Sequence, residues 1–259
     1  MPVLKNRDVT LNYATFGDRR NPALIFSNSL GTSYQMWQPQ IDALQNEYFI
    51  ICYDTRGHGQ SSAPQGPYSL SELGQDVLDL LDHLHIDKAF FCGISMGGMT
   101  GQWLAIHHPN RFHHLMLCNT AAKIGNEIAW TERAQLVREQ GLDPIAATAA
   151  SRWFTEEFIS RHPDVVEVLS DTLAAGSNEG YASCCEALST ADTREQLPDI
   201  HVTITVVAGS EDPVTTVADS QYMVDHIPHA TLVTIDASHI SNIEQPKAFN
   251  QIVRQHLIH

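Results

Sequence analysis

Gly93-Ile94-Ser95-Met96-Gly97 sets one serine between glycines, where an apolar run, Ala89–Cys92, gives way to a helix-like segment, Met96–His107. A serine hydroxyl attacks a carbonyl carbon when a nearby base takes its proton and fixed N–H donors receive the oxyanion that forms. The G-x-S-x-G pattern between a strand and a helix suits that chemistry. A turn this tight strains the serine backbone, and it crowds the positions two before and two after so that glycine fits there. Ser95 is therefore the expected nucleophile, and the Met96 N–H, at the helix start, is one expected oxyanion donor.

The base and its orienting acid are expected downstream, in the order Ser, Asp, His. His239 stands in Asp236-Ala237-Ser238-His239-Ile240-Ser241-Asn242, the loop after the last apolar run. The histidine pairs at 83/85, 107/108 and 113/114 fall within helices or at a strand entrance. No H-E-x-x-H is present, and an i, i+2 pair does not share a helix face, so no metal is expected. Asp212, in Gly209-Ser210-Glu211-Asp212-Pro213-Val214, follows an apolar run and is the expected acid. Glu211 and Asp236 are its rivals, although Asp236 is too close in sequence to His239 to reach its far side. The second oxyanion donor is expected at the Leu30 N–H, in Ser27-Asn28-Ser29-Leu30-Gly31-Thr32. For Asp54-Thr55-Arg56-Gly57-His58-Gly59 a turn braced by an Asp54–Arg56 hydrogen bond is expected, in preference to a catalytic His58.

These residues need elements that bring them to one edge. Apolar runs at Ala23–Ser27, Phe49–Tyr53, Ala89–Cys92, His114–Cys118, Val202–Ala208 and Thr231–Ile235 predict strands. Helices are predicted over Met36–Leu44, Leu70–Leu84, Met96–His107, Val217–His226 and Lys247–Leu257. Strand and helix alternate, which predicts an α/β fold with a mostly parallel sheet and helices on both faces. Val9–Phe16 is expected as an antiparallel edge strand. Between about Ala121 and Glu195 the strand signal stops and helices are predicted at Ile128–Gln140, Asp143–Ala150, Thr155–Ser160, Asp164–Ala175 and Ser177–Leu188. The expected division is a core from residues 1–120 and 196–259, with a helical cap, 121–195, inserted between two sheet strands.

The 259 residues carry 15 Lys and Arg against 30 Asp and Glu, a net charge of −15. No general positive field exists to attract nucleic acid or an anionic membrane. An anionic substrate would need a local cation. The start of the chain has no apolar signal-peptide core and no run approaches membrane-spanning length, so a cytoplasmic protein is expected. Five cysteines, an odd number, are expected to be buried reduced thiols.

Five stretches, "NSLGTSYQMW", "YDTRGHGQSSAPQGPYSLSELGQDVLDLLD", "FCGISMGGMTGQWLAIHHPNRF", "LCNTAAKIG" and "HISNIEQPKAFNQIV", together resemble the α/β-hydrolases, specifically the 3-oxoadipate enol-lactonases. The likeness runs from roughly Leu11 to His256 and includes the cap stretches "WTER", "RWFTEEF" and "YASCCEALSTADTR". Asn28-Ser29 departs from the His-Gly that many hydrolases of this fold carry there. The resemblance implies hydrolysis of a small carboxylated enol-lactone in protocatechuate and catechol degradation, without a cofactor, by Ser95, Asp212 and His239. Trp130 and Arg133, three residues apart on one helix, share a face. That pattern suits a solvated arginine beside a core tryptophan as well as an apolar wall with a guanidinium fork for a carboxylate, and the resemblance favours the fork. Lys123 and Arg152 are the next candidates for the cation. The same triad also serves carboxylesterases, perhydrolases and carbon–carbon bond hydrolases, whereas a non-catalytic binding module usually loses a triad member. The oligomeric state is left open.

Overall fold

The computed structural model describes residues 2–257. Eight strands form one sheet: β1 (Val3–Asn6), β2 (Val9–Phe16), β3 (Ala23–Ser27), β4 (Phe49–Tyr53), β5 (Ala89–Ile94), β6 (Phe112–Cys118), β7 (Ile204–Gly209) and β8 (Ala230–Ile235). Their order across the sheet is β1-β2-β4-β3-β5-β6-β7-β8. The β1–β2 and β2–β4 pairs are antiparallel, and every pair from β4 to β8 is parallel. The inner strands are buried on both faces, so they read as unbroken apolar runs. Alternate residues still serve different layers. On β5, Phe90 and Cys92 belong to one core and Phe91 to the other.

The helices are α1 (Gln38–Leu44), α2 (Leu70–His83), α3 (Met96–His107), α4 (Glu127–Gln140), α5 (Asp143–Ala146), α6 (Ala150–Trp153), α7 (Glu156–Arg161), α8 (Pro163–Ala174), α9 (Asn178–Thr190), α10 (Val217–His226), α11 (Ser241–Glu244) and α12 (Pro246–His256). Among the described residues no helix is long and apolar enough to cross a membrane. One core packs Phe26, Trp37 and Phe249 together with Trp153 of α6 and Tyr181 of α9; the other packs Val77, Leu104 and Met223 against the opposite face. Helices α4–α9 lie between β6 and β7 in the chain. Capping side chains set several of their starts: Asn126 accepts from the Ala129 N–H, Thr155 from Phe158 and Ser177 from Gly180.

Three local expectations need correction. Val9–Phe16 is antiparallel but lies one strand in from the edge, because Val3–Asn6, too short and half-exposed to signal itself, pairs outside it. The predicted helix at Met36–Leu44 is a 3₁₀ turn, Tyr34–Trp37, followed by α1, whose first turn holds Pro39. The predicted helix at Asp143–Ala150 is broken into α5 and α6.

Candidate active site

The parallel topology sends the loops after β3, β5, β6, β7 and β8 to one sheet edge, the place where open α/β sheets bind ligands. Ser95 follows β5, near the centre of the sheet, and its φ of 57° and ψ of −114° are the strained conformation expected of the turn. A Cβ on Gly93 would lie 2.3 Å from the Gly97 carbonyl oxygen, and one on Gly97 would lie 2.3 Å from that of Ser27. The turn is pinned by the Ser95 N–H donating to Cys118 O (3.0 Å) and by Thr120 Oγ1 donating to Ser95 O (2.9 Å).

Asp212 follows β7 and His239 follows β8, and His239 Nδ1 lies 2.8 Å from Asp212 Oδ2. Oδ1 of Asp212 accepts from the Val214 and Thr215 N–H groups at 2.8 and 3.0 Å. Oδ2 also accepts from Thr215 Oγ1 at 2.8 Å and Asn119 Nδ2 at 3.0 Å. Burial pushes the Asp212 carboxyl pKa up, but the bond to His239, its charge and the surrounding donors outweigh this and hold it below the ordinary aspartate value. Glu211 and Asp236 line a separate surface groove, while Ser95 and His239 line one cavity of about 200 Å³. With Nδ1 engaged by Asp212, Nε2 is the nitrogen left to take a proton.

Leu30 also lines this cavity. Its loop is braced from three sides. Asn28, the departure from His-Gly, accepts from Trp37 Nε1 (2.9 Å), donates to Tyr53 O (2.8 Å) and receives the Gly97 N–H on its own carbonyl (3.0 Å). Gly31, at φ 82°, donates its N–H to His58 Nε2 at 3.0 Å. Burial lowers the pKa of His58, which favours the neutral ring that this acceptor role requires. The expected Asp54–Arg56 bond is not what braces the neighbouring turn. Arg56 forks onto Asp76 at 2.7 and 2.8 Å, and Asp54 accepts from Tyr34 N, Gln60 N and Asn12 Nδ2. A buried guanidinium prefers the bidentate partner that α2 supplies.

Side chains from α4, α6 and α9 form the roof. Trp130, Arg133, Arg152, Trp153 and Tyr181 all line the cavity. The Arg133 guanidinium lies 5.0 Å from the Trp130 ring centroid. Arg152 donates to Thr148 Oγ1 at 2.8 Å and Ile145 O at 3.2 Å. Burial, with the Arg133 charge second, lowers its pKa. Neither arginine has an ion-pair partner among the described residues. Lys123 is not part of this wall and pairs with Asp192 at 3.3 Å. Two ties fasten the roof to the histidine loop. The Ile240 N–H donates to Trp153 O at 3.0 Å. Glu244 accepts from the Ser238 N–H at 2.8 Å, from the Thr155 N–H at 3.2 Å and from the Thr155 hydroxyl.

This arrangement can take a proton from a hydroxyl, stabilise an oxyanion and attract an anion. Sequence reasoning missed Thr215, Asn119, Glu244 and the bracing role of His58, since each acts through a tertiary contact that no local pattern announces.

The sheet and the loops at its carboxyl edge define a class. A sequence model of the alpha/beta hydrolase fold matches residues 22–143, and the chain belongs to that family. It is 64% identical over 251 residues to 3-oxoadipate enol-lactonase 2 of Acinetobacter baylyi, covering 97% of this chain and 94% of that one. It is 46% identical over 250 residues to 3-oxoadipate enol-lactonase 1 of the same organism, covering 96% and 94%. The crystal structure of the enol-lactonase from Burkholderia xenovorans LB400 matches with a TM-score of 0.97 at 43% identity, covering 99% of both chains.

Proposed function

We infer that the protein is a serine hydrolase that opens 3-oxoadipate enol-lactone to 3-oxoadipate in the degradation of aromatic compounds through protocatechuate and catechol. The observation that carries this reading is a single cavity with Ser95 and His239 on its floor and, on its roof, two guanidiniums that have no acidic partner among the described residues. A carboxylated ester fits both surfaces, and the relatives named above are lactonases of that kind.

In this reading His239 Nε2 takes the Ser95 proton as Oγ attacks the lactone carbonyl. The negative charge builds on the carbonyl oxygen between the Leu30 and Met96 N–H groups. Collapse of the tetrahedral intermediate breaks the ring C–O bond. The leaving oxygen receives the proton from His239 as an enol, which becomes the ketone. Water, deprotonated by His239, then cleaves the acyl-enzyme and Ser95 recovers its proton. Asp212 holds the imidazole by Nδ1 and stabilises its charged form. Trp130 and Arg133 hold the substrate carboxylate, with Arg152 beside them, and residues 121–195 act as the cap. No step calls for a cofactor. The five cysteines are free and buried, which suits a reducing cytoplasm.

The test is kcat/KM for the enol-lactone against a neutral ester of similar size. A charge-assisted contact of about 1.5–3 kcal/mol gives the carboxylated lactone an advantage of roughly 10- to 150-fold. Equal or faster turnover of the neutral ester would replace the lactonase reading with a general esterase.

A further inference from the structure

Asn119 is where the acid loop and the base loop meet. It follows β6, is fully buried, and holds φ at 44°, a region that asparagine tolerates better than most side chains. Its N–H donates to Val207 O at 2.8 Å, continuing the β6–β7 ladder past the strand end. Its carboxamide is fully used. Nδ2 donates to Asp212 Oδ2 and to Ser238 O, both at 3.0 Å, and Oδ1 accepts from Ser241 Oγ at 2.6 Å. The two residues it grips on the last loop, Ser238 and Ser241, flank His239. The space is reserved for it: a Cβ on Gly209 would lie 2.8 Å from Asn119 Nδ2 and 2.5 Å from the Ala237 and Ser238 carbonyl oxygens.

We propose that Asn119 is a positioning residue for hydrolysis, clamping Asp212 and the His239 loop into one unit and setting how tightly His239 holds a proton. This rests on the reading of Ser95, Asp212 and His239 as the triad. The physical reason lies in the shared atom. Asn119 Nδ2 and His239 Nδ1 both reach Oδ2 of Asp212, so the amide draws off charge that the carboxylate would otherwise direct at the imidazole. Without that donor the carboxylate pulls harder on the Nδ1 proton and the imidazolium becomes easier to form. The other ionisable groups around His239 are Arg133, Arg152 and Tyr181 across the cavity and Glu244 behind the Ser238 N–H. Substitution at 119 leaves all of them in place.

The pH dependence of Ser95 labelling by a fluorophosphonate tests this without assuming the natural substrate, and turnover of 4-nitrophenyl acetate gives kcat and KM. Asn119→Gly keeps the backbone conformation and removes the amide. It is expected to lower kcat roughly 10- to 100-fold with KM little changed, and to move the acid limb of labelling upward by about half a pH unit or more. Asn119→Asp keeps the shape but faces Asp212 with a second carboxylate, so its acid limb should lie higher still; it also carries the test if Asn119→Gly does not fold. An unmoved acid limb in a folded variant, or activity lost only in step with folded protein, would make Asn119 structural and overturn the proposal. Asp212→Asn separates the two readings. If it is inactive while Asn119→Gly behaves as wild type, the positioning role alone fails; if it retains full labelling and turnover, the triad reading fails and this proposal with it.

Discussion

On the floor of the cavity Asp212 accepts five hydrogen bonds inside a buried shell, whereas on the roof Arg133 and Arg152 face the same space with no carboxylate paired to them among the described residues. The helices between β6 and β7 are not short of acids. Arg138, five residues beyond Arg133 on the same helix, is held by Glu179 and Glu186 at 3.0 and 2.6 Å. A half-buried guanidinium with no carboxylate beside it is costly to keep, and in the proposed function the substrate supplies that charge. In the proposed function the floor is complete before substrate arrives, as catalytic preorganisation demands, and the substrate completes the roof. Floor variants should therefore depress every substrate, and roof variants only charged ones.

The largest effect tests the floor. Ser95→Ala should lower kcat at least about 10³-fold on the lactone and on a neutral ester alike, with an unchanged thermal midpoint, because the triad acts as a unit. A variant retaining a tenth of wild-type turnover would remove Ser95 from the chemistry and erase the contrast.

A smaller, selective effect sharpens it. Arg133→Met should lower kcat/KM for the carboxylated lactone roughly 10- to 150-fold and leave a neutral ester almost untouched. Arg133→Lys should recover only part, since an ammonium cannot reproduce the fork. Should Arg152→Met carry the selective loss instead, the carboxylate sits deeper on the roof; equal losses on both substrates from both variants would make the arginines structural.

The smallest effect concerns stability in acid. Burial lowers the pKa of His58 below 6.5, and burial with the His256 charge pushes His114 down to about 4. The unfolded chain therefore binds these protons first, and stability falls as pH drops from about 6.5 toward 4. Thermal melts across that window should show a loss of a few degrees beyond the carboxylate contribution, and His114→Gln should remove part of it. A flat profile in the wild type would mean the rings are hydrated.

Much of the floor could be read from the chain, and little of the roof. Strands such as Ala23–Ser27 and Phe49–Tyr53 announce themselves because burial on both faces leaves no polar residue to blur the run. Ser95 announces itself because the glycines at 93 and 97 answer to backbone atoms they would otherwise strike. Val3–Asn6 gives too short a signal, being a four-residue edge strand with alternating exposure. The alanine-rich stretch at 146–150 has the propensity of a continuous helix, and tertiary packing around the buried Ala149 overrides it. Asn119 is invisible for a different reason: one asparagine after a strand says nothing of the four partners that surround it. Likewise, nothing local distinguishes Arg138, held by two glutamates, from Arg133, which has no acidic partner among the described residues.

The ties between Glu244, Thr155 and Ser238, and between Ile240 and Trp153, have a kinetic consequence. The amides of Thr155 and Ile240 donate across the seam between roof and histidine loop, while Ser238 donates to Glu244 on the loop side of it. Lifting the roof along that seam frees both at once, so they should exchange with deuterium as a pair, and more slowly when product fills the cavity. Such an opening also loosens Ile240, the residue after His239. Solvent admitted by that route meets a proposed base that has lost part of its support, so weakening these bonds should slow deacylation even as it lets more water in.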